Sequence, residues 1–481
     1  MEAFKRDVPP HLSRRAASAH SNGNSTSAPG QPAEAFGNGH EAVSLRRWRI
    51  ALYSNDAMGL GHVRRNLLIA QALAASLVEP AILMMAGTRQ ATAFAMPPGV
   101  DCLTFPALRR DGDGQYQARC LNIPLRDLID LRAKIICATL EMFEPEVLIV
   151  GNLPLGAARE LEPALASLRA RGGTRCVLGL RDVLDEPARV RRAWAKLANE
   201  QAIGDYYDAV WVYGDPAVYD PVREYRFSRE VADKVRYTGY LDQRLRLQLA
   251  PPPDPAGGAG EDPGEGDGPD PVAALLSQPG RLALCLVGGG QDGAALAEAF
   301  AQVALPPETL GVLLTGPFMP PEAQQRLRRR LAGDRRFRVL EFLREPTRLL
   351  TRADRVIAMG GYNTVCEVLS LEKRALIVPR VSPDQEQWIR ALRLRELGLL
   401  DVLHPDDLTP RALTEWLACE LGPPPRVRER LDFDGLTRLP RLLSELLAGS
   451  ATGGGKIDTL ARCSRNGDPS PAACWSCARS D

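Results

Sequence analysis

A strand-then-helix alternation runs through this 481-residue chain twice, and one segment with almost nothing to bury separates the two passes. In the first pass, β-type runs at 48–53, 81–85, 100–105, 147–150, 176–180 and 209–213 are separated by stretches of helical spacing, among them 125–143 and one around 190–202. Val63, Leu67, Ala70, Ala74 and Leu77, for example, fall on one face of a helix. Residues 251–271 are then almost wholly Pro, Gly, Asp, Glu and Ala, which predicts a linker. The alternation restarts with strands at 282–287, 312–315, 337–342, 355–358 and 375–378 and helices at 294–303, 322–331, 364–371 and 385–397. Strands alternating with helices of this length predict an α/β chain of two Rossmann-like domains, each a parallel sheet covered on both faces. The expected organisation is a disordered tail over 1–44, a first domain over 45–245 and a linker over 246–272. A second domain over 273–430, a helix over 431–448 packing back on the first domain, and a disordered tail over 449–481 complete it.

Lys and Arg total 60 against 59 Asp and Glu, a net charge of +1, which removes the broad electrostatic case for binding nucleic acid. No apolar run approaches the roughly 18–20 residues that cross a bilayer, and the N-terminal residues lack the apolar core of a signal peptide. A cytoplasmic protein is expected. Seven of its ten cysteines are scattered singly through apolar segments, where reduced core thiols are the reading. Cys474-Trp475-Ser476-Cys477, with Cys463 upstream, has metal-like spacing but no second pair, and Asp111-Gly112-Asp113 reads as a polar turn. Neither a metal nor a cofactor is expected.

Four motifs sit at turns between a strand and a helix. The first is Gly59-Leu60-Gly61-His62. Glycines there let backbone amides approach a ligand, and the helix start adds a field favouring anions. His62 would stand at the carboxyl end of a sheet, where α/β proteins bind ligands, and a pKa of about 6.5 suits a general base. A turn whose histidine only caps or packs is the plainer alternative. The second is Gly288-Gly289-Gly290-Gln291-Asp292-Gly293, a phosphate-approach loop. It is not a P-loop, because no Gly-Lys-Ser/Thr ends it. Gly288, Gly290 and Gly293 satisfy G-x-G-x-x-G, but the next strand closes without an acidic residue, which weakens the case for NAD.

The third is Gly360-Gly361-Tyr362-Asn363-Thr364 with Glu367 beyond it. Its amides and hydroxyl can meet a diphosphate, and Glu367, expected on the first helical turn, can accept from a ribose diol. A Thr364–Glu367 capping box explains those two residues without a ligand, but not the paired glycines. The fourth is Pro383-Asp384-Gln385-Glu386-Gln387, whose acid and amide groups can grip hydroxyls or simply open an acidic helix.

In this order the four motifs resemble the glycosyltransferases with two facing Rossmann domains, the GT-B architecture, and within them the MurG-like family, whose C-terminal half is glycosyltransferase family 28. The likeness covers residues 48–420 and is strongest over 282–398. It implies an acceptor domain and a nucleotide-sugar donor domain across a cleft. The implied activity is a metal-independent hexosyl or N-acetylhexosaminyl transfer with inversion, of the kind used in cell-envelope or polysaccharide synthesis. By the same resemblance Gly289, Gly290 and Gln291, with Gly361, Asn363 and Thr364, approach the diphosphate, and Glu367 holds ribose. Phe342 and Leu343 supply backbone contacts to uracil, while Asp384, Glu386 and Gln387 face the sugar. His62 falls on the family's loop histidine as the catalytic base, with Gly59 and Gly61 as substrate contacts. The expected partners are a UDP-sugar and a glycan or lipid-linked acceptor, with no nucleic acid and with peripheral contact at the inner face of a membrane. Two departures concern donor and acceptor identity: the first loop is poorer in glycine and is followed by Arg64-Arg65, and Glu386 stands where an amide is usual. A UDP-sugar epimerase of the same architecture and a non-catalytic nucleotide-sugar-binding subunit are the alternatives.

Overall fold

Short strands that are apolar on both faces pair in parallel and leave helices to cover each side. The computed structural model describes residues 48–55, 61–77, 79–110, 115–249, 271–343, 345–420 and 422–448. Both tails with Cys463, Cys474 and Cys477, most of the linker, Gly59 and the Asp111-Gly112-Asp113 turn lie outside the described residues. The first half contributes β1 Arg49–Ser54, β2 Ala81–Ala86, β3 Val100–Thr104, β4 Leu108–Arg110, β5 Tyr116–Ala118, β6 Val147–Gly151, β7 Arg175–Arg181, β8 Ala209–Tyr213 and β9 Val235–Tyr237. β4 and β5 form a small antiparallel pair, and the others one sheet in the order β3-β2-β1-β6-β7-β8-β9. The second half contributes β10 Arg281–Leu286, β11 Thr309–Leu314, β12 Phe337–Leu340, β13 Arg355–Ala358, β14 Ala375–Ile377 and β15 Asp401–Val402. Their order is β12-β11-β10-β13-β14-β15.

These orders decide where a ligand can sit. Strand order reverses between β1 and β6 in one sheet and between β10 and β13 in the other. Loops leaving the two strands at such a point turn to opposite faces and open a crevice at the strands' carboxyl ends. Three of the glycine-bearing motifs follow β1, β10 and β13. All three therefore belong to reversal points.

The halves share one apolar cluster. The helix Gly435–Ala448 crosses back to lie on the helix Gly61–Ser76, burying Leu436, Leu439, Leu442 and Leu443. Backbone bonds fix its entry: Tyr240 N–H donates to the Asp432 carbonyl at 2.8 Å and Gly435 N–H to that of Tyr240 at 3.2 Å. Among the described residues no helix is long and apolar enough to cross a membrane.

Three local features differ from the sequence reading. The helical stretch around 190–202 is two helices, Pro187–Leu197 and Asn199–Tyr206, because Ala198 takes a left-handed conformation with φ 52°. β9 and β15 are too short to show a period. Arg246, assigned by sequence to the linker, lies in the short helix Leu245–Leu249 and is buried against the second half. Of the seven cysteines in described segments, Cys176, Cys285 and Cys366 are buried, whereas Cys120 and Cys419 are exposed; no disulfide joins any two of the seven. Burial pushes the Cys176 thiol up to about 12.

Candidate active site

The two crevices open onto a single cavity of about 330 Å³. From the first half it is lined by Gly61, His62, Arg64, Arg65, Arg110 and Arg181, among others, and among the described residues no carboxylate comes from that side. The second half supplies Asp292, Glu341, Glu367, Asp384 and Glu386, with Arg380 as its one cation among the described residues. Charge is thus segregated across the cleft. Arg110 Nε and Arg181 Nε are buried and lack a hydrogen-bond partner among the described residues. Donors left this way favour an anion that satisfies them.

Most, but not all, of the residues singled out by sequence meet here. Gly61, His62, Phe342, Leu343, Gly361, Asn363, Thr364, Glu367, Asp384, Glu386 and Gln387 line the cavity with Gly288 and Gly289. Gly290 and Gln291 do not. Gly290 has φ +88° and is turned inward, where a Cβ would come within 2.2 Å of the Thr315 carbonyl oxygen. Its role is to close the turn, and its neighbours Gly288 and Gly289 present the backbone to the cavity.

The helix Tyr362–Ser370 starts one residue after Gly361, without a side-chain cap. Thr364 is therefore the third helical residue rather than the cap, so a Thr364–Glu367 capping box does not explain the motif. The first-turn amides of Tyr362, Asn363 and Thr364 have no intrahelical acceptor and carry the positive end of the helix. Glu367 falls in the second turn, deeper than expected, and is 3% exposed. Arg246 holds it, Nη1 to Oε1 at 2.5 Å, and also pairs through Nε with Glu345 at 3.0 Å. One carboxylate oxygen of Glu367 is thereby committed to the protein.

β12 ends at Leu340, two residues before the predicted end, and the chain leaves the sheet so that Phe342 and Leu343 reach the cavity. Arg64, from the opposite half, donates through Nη2 to the Leu343 carbonyl at 3.0 Å. Other contacts span the cleft. Asn363 Nδ2 donates to the Gly61 carbonyl at 2.6 Å, and Arg181 Nη1 lies 2.6 Å from Glu386 Oε2. Gln387 Oε1 accepts from the Arg380 amide at 3.0 Å, so both members of the pair expected to face the sugar are already engaged. Asp384 lies 3.6 Å from Arg380 Nη2.

His62 is held neutral. Burial is the main cause, and the cations of Arg65, Arg181 and Arg110 add to it, keeping the imidazole well below its usual range. Arg65 Nη2 lies 2.7 Å from His62 Nδ1. A guanidinium only donates, so Nδ1 accepts and the ring proton sits on Nε2. Arg65, Arg110 and Arg181 were missed as site residues, although Arg64-Arg65 stood out in the sequence one residue beyond the motif. A single arginine closing a strand, like Arg181, carries no local signal.

Residues 283–430 match the model of the glycosyltransferase family 28 C-terminal domain. The chain is 28% identical over 155 residues to the UDP-N-acetylglucosamine–N-acetylmuramyl-(pentapeptide) pyrophosphoryl-undecaprenol N-acetylglucosamine transferase of Yersinia enterocolitica, covering 31% of this chain and 42% of that protein. With the Haemophilus influenzae enzyme of the same name it is 31% identical over 80 residues, 17% of this chain and 23% of that one. This chain therefore spans less than half the length of the relatives it matches. Among solved structures, the calicheamicin glycosyltransferase CalG4 aligns with TM-score 0.52 at 16% identity, covering 84% of this chain and 100% of that one. The UDP-GlcNAc 2-epimerase of Methanocaldococcus jannaschii aligns with TM-score 0.52 at 12% identity, covering 83% and 100%. The fold is GT-B, as the resemblance implied. At such identities the likeness shows the fold alone, and that fold is common to a transferase and an epimerase.

Proposed function

We propose that this chain is a glycosyltransferase that moves a hexosyl or N-acetylhexosaminyl group from a UDP-sugar to a glycan, lipid-linked or small-molecule acceptor with inversion. The observation that carries this reading is the segregated cleft: a family 28 domain offering a helix start, Gly288, Gly289 and Glu367 faces a neutral histidine set among arginines. In the reaction, the acceptor hydroxyl gives its proton to His62 and its oxygen attacks the anomeric carbon. The bond from that carbon to the phosphate oxygen breaks, and UDP leaves with the electron pair. Free amides of the helix start and the arginines stabilise the negative charge that develops on the diphosphate. Since Nδ1 accepts from Arg65 and Nε2 carries the proton, His62 becomes a base when Arg65 turns away toward the diphosphate and exposes Nδ1.

A lipid-linked acceptor would bring the protein to the inner face of a membrane. Leu121, Ile123 and Leu131 are exposed around the start of the helix Leu125–Phe143, close in sequence to Arg126 and Lys134, which supports peripheral contact. Co-sedimentation with anionic vesicles should fall in a Leu121→Ser/Leu131→Ser variant, and unchanged sedimentation would remove this surface from the proposal.

UDP release from UDP-N-acetylglucosamine tests the activity, with and without N-acetylmuramyl-pentapeptide pyrophosphoryl-undecaprenol as the first acceptor. Acceptor-dependent release is the expected result. Sugar inversion at C2 seen by NMR without acceptor would make the protein an epimerase. UDP binding with neither reaction, across an acceptor panel, would favour a binding subunit.

A further inference from the structure

Arg64 is placed in a way that the transfer reaction alone does not explain. It lies one turn into the cleft-facing helix Gly61–Ser76, close to the aromatic rings of Phe94 and Phe342 at 5.7 and 5.9 Å from their centroids. Its side-chain hydrogen bond among the described residues crosses to the Leu343 carbonyl of the other half. Among the described residues no carboxylate pairs with it, and its Nε is buried without a partner. The acids whose charge acts on it, Glu367 and Glu345, are both claimed by Arg246. Burial, with Arg246 adding to it, disfavours the Arg64 charge, and Glu367 and Glu345 offset this only in part. The cation thus sits in the donor cavity, desolvated and short of a counter-charge, on a backbone carbonyl beside an aromatic ring.

A carbonyl in that position is what the imide N–H of a uracil base would seek. Under the function proposed above, base and arginine compete for one acceptor, while a diphosphate at the start of the helix Tyr362–Ser370 offers the arginine a far better partner in the same cavity. We propose that Arg64 is a donor-binding residue with two positions: here it caps the Leu343 carbonyl, and a bound uridine diphosphate takes that carbonyl for its base and draws the guanidinium onto its phosphates. Arg64 then makes recognition of base and of diphosphate interdependent and ties the first half to the loaded donor.

Calorimetric titration with uridine and with UDP tests this, because the two ligands differ only in the phosphates. In Arg64→Met, which keeps bulk but donates nothing, uridine should bind as well as or better than in the wild type. UDP should bind about tenfold or more weakly, the scale of a lost charge-assisted bond, so the ratio of the two dissociation constants collapses. Arg64→Lys should keep most of that ratio. A ratio unchanged in a folded Met variant overturns the proposal. If circular dichroism shows the Met variant unfolded, Arg64→Gln against Arg64→Lys carries the same comparison: Gln should lose the ratio, and Gln and Lys behaving alike would overturn the proposal. A wild-type protein that binds neither ligand overturns the donor reading itself, a result distinct from UDP binding that ignores Arg64.

Discussion

His62 has an environment that forbids its charge, and this has a consequence for stability apart from catalysis. In the unfolded chain it titrates near about 6.5, whereas in the folded chain burial and three arginines hold it well below that. Above about 6.5 it is neutral in both states and contributes nothing to the pH dependence. As the pH falls below that value, the unfolded chain takes up a proton that the folded chain refuses, so stability drops until the folded value is reached. The melting temperature should therefore fall between about pH 7 and pH 5.5, and fall less in His62→Asn, because titrations elsewhere are common to both proteins. Parallel curves for the two would mean that His62 titrates normally. Turnover should correspondingly show no loss around pH 6.5 attributable to a protonated His62.

The structural elements show which parts of this account can be read from sequence. Strands and helices were legible because a parallel sheet demands unbroken apolar runs, and the glycine motifs were legible because glycines at strand-to-helix turns let backbone approach a ligand closely. What escaped was set by other elements. Gly290 looked like its neighbours but is turned inward by the Thr315 strand end, and Glu367 shifted a turn because the helix starts at Tyr362. Arg246 looked like linker because its partners lie about a hundred residues away. The helix Gly435–Ala448, by contrast, shows in the sequence as a short apolar stripe expected to pack back, and in the fold it lies on the helix Gly61–Ser76. Leu439 is fully buried there. Leu439→Ala should cost about 2–5 kcal/mol in urea unfolding, as a buried Leu truncation does. A loss near zero would mean that this helix is not held on the first half.

Across the whole molecule, a dry ionic bolt joins the halves behind the cavity. Arg390 of the helix Glu386–Glu396 grips Asp182 at 2.8 and 2.9 Å, with both side chains fully buried and Tyr240 donating to the same carboxylate at 2.9 Å. Removing one partner strands the other charge. Arg390→Met should cost about 3–5 kcal/mol, and Asp182→Asn/Arg390→Met clearly less than the two single losses combined, by denaturant unfolding. Strict additivity would contradict a direct pair. The bolt keeps the first half's histidine and arginines opposite the second half's helix start, and on that opposition the central proposal rests: the second half holds the nucleotide, with Arg64 reaching across to its phosphates, while His62 acts in the chemistry and not in nucleotide binding. Calorimetric titration of UDP into wild type, Glu367→Gln and His62→Asn tests it most directly. One-to-one binding is expected, weakened by about tenfold or more in Glu367→Gln and changed by less than about threefold in His62→Asn. No UDP binding to the wild type, or equal weakening in both variants, would contradict the division of labour between the halves.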